Sequence, residues 1–261
     1  SDPMVFKKSS QLIGLDIGSS FIKVAEIKSS PKGAILKKFG LEKTPPGAIV
    51  EGRIAEMENV AQVIRSLFKK NRIKEKNVAI STGGHSVVIK TITTAKAPEK
   101  ELHASIHSEA EQYIPFDIQD VYLDFQDLKT NTEEIERTDV MLVAAKKEIV
   151  DDYLDMLDSI GLQATIVDVD GFALENTFEY NVPKSENVAL VDIGASKMNI
   201  NIISNGVSVV ARDIVVGSRQ LTEHIMNQFD LEFDDAEALK LGHIPAEDKQ
   251  TEIEEIFSTV C

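Results

Sequence analysis

Cysteine is nearly absent from this chain: the single thiol, Cys261, is the last of 261 residues. No intrachain disulfide can form, which fits a reducing compartment. No stretch reaches the roughly 18 apolar residues that a membrane-spanning helix requires. The opening SDPMVFKKSSQ lacks the apolar core of a secretory signal, and Ser1-Asp2-Pro3 ahead of Met4 reads as an expression scar. Together these absences make the cytoplasm the expected location. Basic residues are in deficit, 28 against 43 acidic ones, for a net charge of −15. A surface this acidic repels phosphate backbones, so nucleic acid is not an expected partner. Low-complexity segments are missing as well. What remains is an ordinary globular composition, 43% hydrophobic and 27% charged, in a chain long enough for one large domain or two modest ones.

Strands and helices alternate along the chain. Residues 11–28 read as strand, turn, strand, and 33–42 as a third strand. The run TPPGAIVEGRI (44–54) is punctuated by Pro45, Pro46, Gly47 and Gly52 and reads as a loop. Met57, Val60, Val63, Ile64, Leu67 and Phe68 recur at helical spacing, and the basic end Lys69, Lys70, Arg72 suits a helix C-terminus. Two strands, NVAIS and SVVIKTITT, follow within 77–94. Further helices are expected at 99–114, 148–160 (with Gly161 as C-cap), 171–180, 218–229, 234–241 and from 247 onward. Strands are expected at 121–128, 139–145 and 164–170, with a polar loop at 129–138 and a linker at 183–187. The pattern argues for mixed sheets flanked by helices, an α/β fold.

One local pattern occurs twice. LIGLDIGSSFIKVAEI (12–27) and VALVDIGASKMNINII (188–203) each place an acid, a glycine and hydroxyls at a tight turn between apolar strands. Asp16 aligns with Asp192, Ile17 with Ile193, Gly18 with Gly194, Ser20 with Ser196 and Ile27 with Ile203. The offset, 192 minus 16, is 176 positions, which points to a duplicated lobe rather than a short solenoid period. Each turn has chemistry suited to phosphate. Glycine lets backbone approach a ligand, successive N–H groups make an anion-binding concavity, and Ser19, Ser20 and Ser196 add donors. Asp16 and Asp192 would repel bare phosphate but suit Mg2+ held through its waters. Lys23 can reach back toward a β- or γ-phosphate. A single copy would read as an ordinary hairpin; two matched copies point to a clamp on a triphosphate.

The paired hairpins resemble the phosphate-1 and phosphate-2 motifs of the actin, sugar-kinase and DnaK-type chaperone superfamily. VGSRQLTEHIMNQF (216–229) is similar to the segment in which a glycine opens a helix near the nucleotide, here Gly217. AEALKLG (236–242) is similar to the next helix, whose glutamate and lysine approach ribose and base; the resemblance implies these roles for Glu237 and Lys240. Within the superfamily, SEAEQYIPFD (108–117), VMLVAAKKEIVDDYLDML (140–157), GLQATIVDVDGFAL (161–174) and DIGASKMNI (192–200) resemble the PilM family. These are cytoplasmic actin-like proteins of type IV pilus assembly, related to FtsA.

That resemblance implies an actin-like, ribonuclease H-like two-lobed ATPase fold. The first lobe would comprise 11–83 and 156–183, a small inserted α/β subdomain 84–155, and an incomplete second lobe 184–261. It implies ATP with Mg2+ between the lobes, bound by Asp16, Gly18, Ser19, Ser20, Lys23, Asp192, Gly194, Ala195, Ser196, Gly217, Glu237 and Lys240. It also implies docking of the N-terminal peptide of the inner-membrane protein PilN, and peripheral recruitment to the inner membrane. Asp170 falls where actin-like folds position the attacking water, although a helix N-cap explains it equally well. The family's Gly-rich adenosine motif is missing, since only Gly242 follows Gly217. The second lobe is therefore expected to be incomplete and nucleotide affinity weak. An enzyme of the same fold, a small-molecule kinase, and a filament former like FtsA are the rival readings.

Four other signals are expected to be structural. His103, His107 and Glu111 share a helix face, but Ala104 breaks the HExxH pattern, so a solvated face is expected. Thr82-Gly83-Gly84 lacks the Gly-Lys-Ser/Thr ending of a P-loop and reads as a hairpin turn. Asp234 reads as a helix N-cap, and the amphipathic TEIEEIF is too acidic to lie on an anionic membrane.

Overall fold

The structure is a computed structural model, described here for residues 12–30, 33–129, 136–182 and 187–260. The expected scar, most of the loop at 129–138, the linker at 183–186 and Cys261 lie outside those residues. In chain order the elements are β1 (Ile13–Ile17), β2 (Phe21–Ser30), β3 (Gly33–Lys43), β4 (Ile49–Val50), β5 (Arg53–Ile54), α1 (Met57–Lys70), β6 (Asn77–Thr82), β7 (Val87–Ala95), α2 (Glu99–Ala110), β8 (Val121–Asp127) and β9 (Arg137–Lys146). There follow α3 (Lys147–Ser159), β10 (Gln163–Val169), α4 (Asp170–Asn181), β11 (Asn187–Ile193), β12 (Met198–Ser204), β13 (Val207–Ile214), α5 (Arg219–Phe229), α6 (Phe233–Lys240) and α7 (Gln250–Val260).

Three larger sheets and the two-stranded β4-β5 organise the described residues. The largest has the order β10-β6-β1-β2-β3, antiparallel through β1-β2-β3 and parallel at β1-β6 and β6-β10. Alternation in β1 and β2 turns Ile13, Leu15, Ile22 and Val24 to one face. The buried stripe of α1 (Val60, Ala61, Ile64, Leu67, Phe68) covers it, joined by Tyr153, Met156 and Leu157 of α3. The expected boundary at 155 thus falls inside α3, whose Tyr153, Met156 and Leu157 pack into the first core. The helix ends in a Schellman motif: Gly161 has φ +71°, its N–H donates to Asp158 O, and the Leu162 N–H donates to Leu157 O. A second sheet, β11-β12-β13, repeats the meander of β1-β2-β3. The third, β7-β9-β8, carries α2 and its own core of Ile106, Val140 and Leu142. Among the described residues no helix is long and apolar enough to cross a membrane.

Four expectations need correction. The loop at 44–54 contains a minimal hairpin, β4-β5, whose turn residues Glu51 and Gly52 both have positive φ, as a type I′ turn requires. Thr82-Gly83-Gly84 is not a hairpin turn: β6 and β7 belong to different sheets, and the chain crosses between them there. The helix expected to reach 114 stops at Ala110. Glu232, not Asp234, is the N-cap residue of α6, which places Asp234 and Asp235 in the first turn beside the positive end of the helix dipole.

Candidate functional site

The two repeated turns close in the same way. The Gly18 N–H donates to Phe21 O at 3.1 Å, and the Gly194 N–H donates to Lys197 O at 2.9 Å. A Cβ at Gly18 would lie 2.9 Å from Phe21 O, and one at Gly194 3.0 Å from Lys197 O, so glycine is what allows both turns to be this tight. The segment after each meander braces its turn. Thr44, after β3, donates its hydroxyl to Gly18 O and its N–H to Ser20 O. Ser218 and Arg219, after β13, donate their N–H groups to Gly194 O and Ala195 O, each at 2.9 Å. Gly217 makes that second brace possible: a Cβ there would fall 2.7 Å from Ser196 N and closer still to Ala195 O.

The turns face each other. Ser19 Oγ and Ser196 Oγ are 2.9 Å apart, and Arg219 Nη2 donates to Ser19 O at 3.2 Å. Beside them opens a cavity of about 580 Å³, within the size range of small-ligand sites. Asp16, Gly18, Ser19, Ser20, Lys23, Asp170, Asp192, Gly194, Ala195, Ser196 and Glu237 line it. Gly217 and Lys240 are not among the residues that line it. Asp16 and Lys23 are opposite each other in the β1-β2 register and form a 2.7 Å ion pair. In the second hairpin the matching register pair is Asp192 and Asn199.

Asp170 begins α4 but makes no N-cap hydrogen bond; the N-cap position is Val169. The carboxylate instead accepts from Ser81 Oγ at 2.6 Å and pairs with Lys197 Nζ. Close by, Asp213 accepts from the Gly84 N–H and from Asn199 Nδ2. Gly83 lies at the centre of this cluster, where a Cβ would come within 2.6–2.8 Å of Asp170, Asp213 and Lys197. Two side-chain atoms, Asn199 Oδ1 in this cluster and Arg219 Nε at the start of α5, are buried without a hydrogen-bond partner among the described residues. At the other end of the cavity Glu237 accepts from Thr222 Oγ1 at 2.6 Å and pairs with Lys240 at 2.7 Å. Burial pushes the Glu237 carboxyl up, but the Lys240 ammonium and the Thr222 hydroxyl outweigh it and hold it below the usual carboxylate range. Lys240 also donates to Ser218 O and Thr222 Oγ1, so its donors are spent within α5-α6.

Sequence reasoning missed Ser81, Gly83, Lys197, Asn199, Asp213 and Arg219. The repeat held a signal for one of them: the offset that aligns Gly18 with Gly194 sets Lys197 against Phe21, a cation beside a phosphate-type turn. His103 and His107 have tilted rings with centroids 5.3 Å apart, and His103 meets Phe125 edge-on; none of the three lines this cavity. Among the described residues no cluster of three or more His, Cys, Asp or Glu side chains could hold a metal directly.

The sequence model of a family described as Type IV pilus assembly protein PilM matches residues 14–260. The chain belongs to that family. A solved PilM-PilN type IV pilus biogenesis complex matches at 30% identity and a TM-score of 0.84, over 96% of this chain and 73% of the other. The ethanolamine utilization protein EutJ from Carboxydothermus hydrogenoformans matches at 13% identity and a TM-score of 0.50, over 94% of this chain and 65% of the other. The latter likeness is one of fold. The fold is that of the actin-like ATPases, and the chain's general role is in type IV pilus assembly.

Proposed function

We propose that this chain is a nucleotide-dependent scaffold. ATP with Mg2+ in the cleft fixes how the two meanders face each other, and the N-terminal peptide of a PilN-type inner-membrane protein docks beside the third sheet. The observation that carries the first half is the pair of matched turns meeting through Ser19 and Ser196 at one cavity. The donor set fits a polyphosphate: glycine-tight turns, three serine hydroxyls, Lys23 and Lys197. Asp16 and Asp192 would repel it unless a hydrated Mg2+ stands between, which is the chemistry that ion supplies. Asp170 already accepts from Ser81 and pairs with Lys197, so its carboxylate is engaged; a scaffold needs no fast hydrolysis. In this reading recruitment to a membrane runs through the PilN-type partner, as the likeness to a PilM-PilN complex supports.

Support for peptide docking comes from a second cavity, of about 650 Å³. Consecutive residues Val87–Lys90 of β7 and Ala211–Asp213 of β13 line it. Both strands are sheet edges, and a run of neighbours along a strand presents its edge rather than one face. An open edge can take an added extended segment.

Two measurements test the reading. Titration calorimetry with Mg-ATP is expected to give micromolar binding, weakened about tenfold in Asp192→Asn and by removal of Mg2+. A synthetic PilN N-terminal peptide is expected to bind the intact protein and to be excluded by Ala211→Trp, which fills the second cavity. No Mg-ATP binding at millimolar concentration would end the nucleotide half, and no peptide binding the docking half.

A further inference from the structure

We propose that Lys197 is the residue by which the cleft tells a nucleoside triphosphate from a diphosphate, a role that rests on the nucleotide reading above. The repeat makes the two hairpins alike up to the closing hydrogen bond and then unlike. The residue whose carbonyl closes the first turn is Phe21; in the second it is Lys197. Only one wall of the cleft therefore carries a cation at that point.

The position of that cation follows from a chain of contacts running one way. Glu237, Thr222 and Lys240 hold α6 to α5, and the α5 start donates to the turn at 194–196. That turn touches its counterpart through Ser19, and beyond it Lys197 reaches Asp170, which also accepts from Ser81, and the bare backbone of Gly83. The reverse orientation would set the base among the charges of Asp170, Asp213 and Lys197, so a nucleotide threaded between the turns has its base toward Glu237 and its terminal phosphate nearest Lys197. The other cavity-lining lysine, Lys23, pairs with Asp16 within the β1-β2 hairpin, so a change of partner there would alter no link between the second turn and α4.

Lys197 is held ready rather than spent. Its side chain is 30% exposed and its ion-pair partner is a single carboxylate, Asp170, 23% exposed. Asp170 keeps the Ser81 hydroxyl if the lysine leaves. A terminal phosphate carries nearly two charges and three acceptor oxygens, and so competes well against one carboxylate. A diphosphate ends one phosphoryl short, and the Lys197–Asp170 pair persists. Exchange of partners by Lys197 is then the event that only a triphosphate causes. Because Asp170 begins α4 and Lys197 follows the second turn, it alters a link between elements that flank the cleft.

The test is calorimetric affinity for Mg-ATP and Mg-ADP, with the full chain, in wild type, Lys197→Met, Lys197→Arg and Asp170→Asn. Thermal unfolding of each confirms that it folds. Lys197→Met is expected to lose about ten- to hundredfold in ATP affinity, the worth of a charge-assisted hydrogen bond, and less than about twofold for ADP. Lys197→Arg is expected to keep most of the ATP preference. Asp170→Asn removes the competitor and is expected to raise the ratio of ATP to ADP affinity. Equal losses for both nucleotides in Lys197→Met, or an unchanged ratio in Lys197→Met and Asp170→Asn alike, would overturn the proposal while nucleotide binding itself stood. Failure of the wild type to bind either nucleotide would overturn the nucleotide reading and this inference with it.

Discussion

Gly217→Ala is expected to lower Mg-ATP affinity about a hundredfold and to destabilise the fold by about 1–3 kcal/mol. The effect is large because the obstructed atoms are backbone. An added Cβ would meet Ala195 O, Ala195 C and Ser196 N, with Ser196 N at 2.7 Å, and no side chain can rotate away to make room. Either α5 backs off or the turn at 194–196 moves. If α5 backs off, Ser218 and Arg219 lose their hydrogen bonds to Gly194 O and Ala195 O, and Arg219 loses Ser19 O. If the turn moves, the N–H groups that face the cavity lose their aim. Two phosphate hydrogen bonds at about 1.5 kcal/mol each account for the hundredfold. Gly161→Ala is the control: its φ is +71°, yet a Cβ there meets nothing within 4 Å. That change is expected to cost about 1 kcal/mol of stability through backbone strain and to leave nucleotide affinity unchanged.

Gly217 also marks the limit of what the sequence discloses. The two DIG turns are legible because a tight turn is a local object: its glycine, its closing hydrogen bond and its flanking alternation lie within a few residues. The meanders follow from the same alternation, since a one-residue slip would bury the polar face. Lys197 and Asp170 are 27 positions apart on elements that only the tertiary fold brings together. Thr82-Gly83-Gly84 shows the same boundary from the other side. Its residues announce a change of direction, but turn chemistry does not say which sheet the next strand will join. The hairpin β4-β5 was hidden because two-residue strands are too short to alternate, and the prolines before them dominate the local signal.

Lys240→Met is expected to lower stability at neutral pH by about 2 kcal/mol, a fall in Tm of about 4–8 °C. Lys240 is only 7% exposed, and it satisfies Glu237, Ser218 O and Thr222 Oγ1 at once. Methionine fills the same space without a donor, so Glu237 becomes a half-buried carboxylate with Thr222 as its one remaining hydrogen-bond donor. Glu237 is 32% exposed and can recruit water, which keeps the cost below that of a fully buried broken pair. The pH dependence separates this from simple loss of packing. In the wild type the Glu237 pKa lies below its ordinary value, so its contribution is fully present above the unfolded-state pKa of about 4.3 and is lost as pH falls through the folded value. In Lys240→Met the ammonium is gone and burial dominates, so the carboxyl moves up and protonation relieves the variant. The gap between the two proteins is therefore expected to narrow below about pH 4. A gap that held constant from pH 7 to pH 3 would show that Lys240 acts through its methylenes rather than its charge. The spacing of Glu237 and Lys240, three apart on one helix, suits a pair that bind each other. Besides lining or flanking the cavity they clamp α6 onto α5, and α5 holds the second turn.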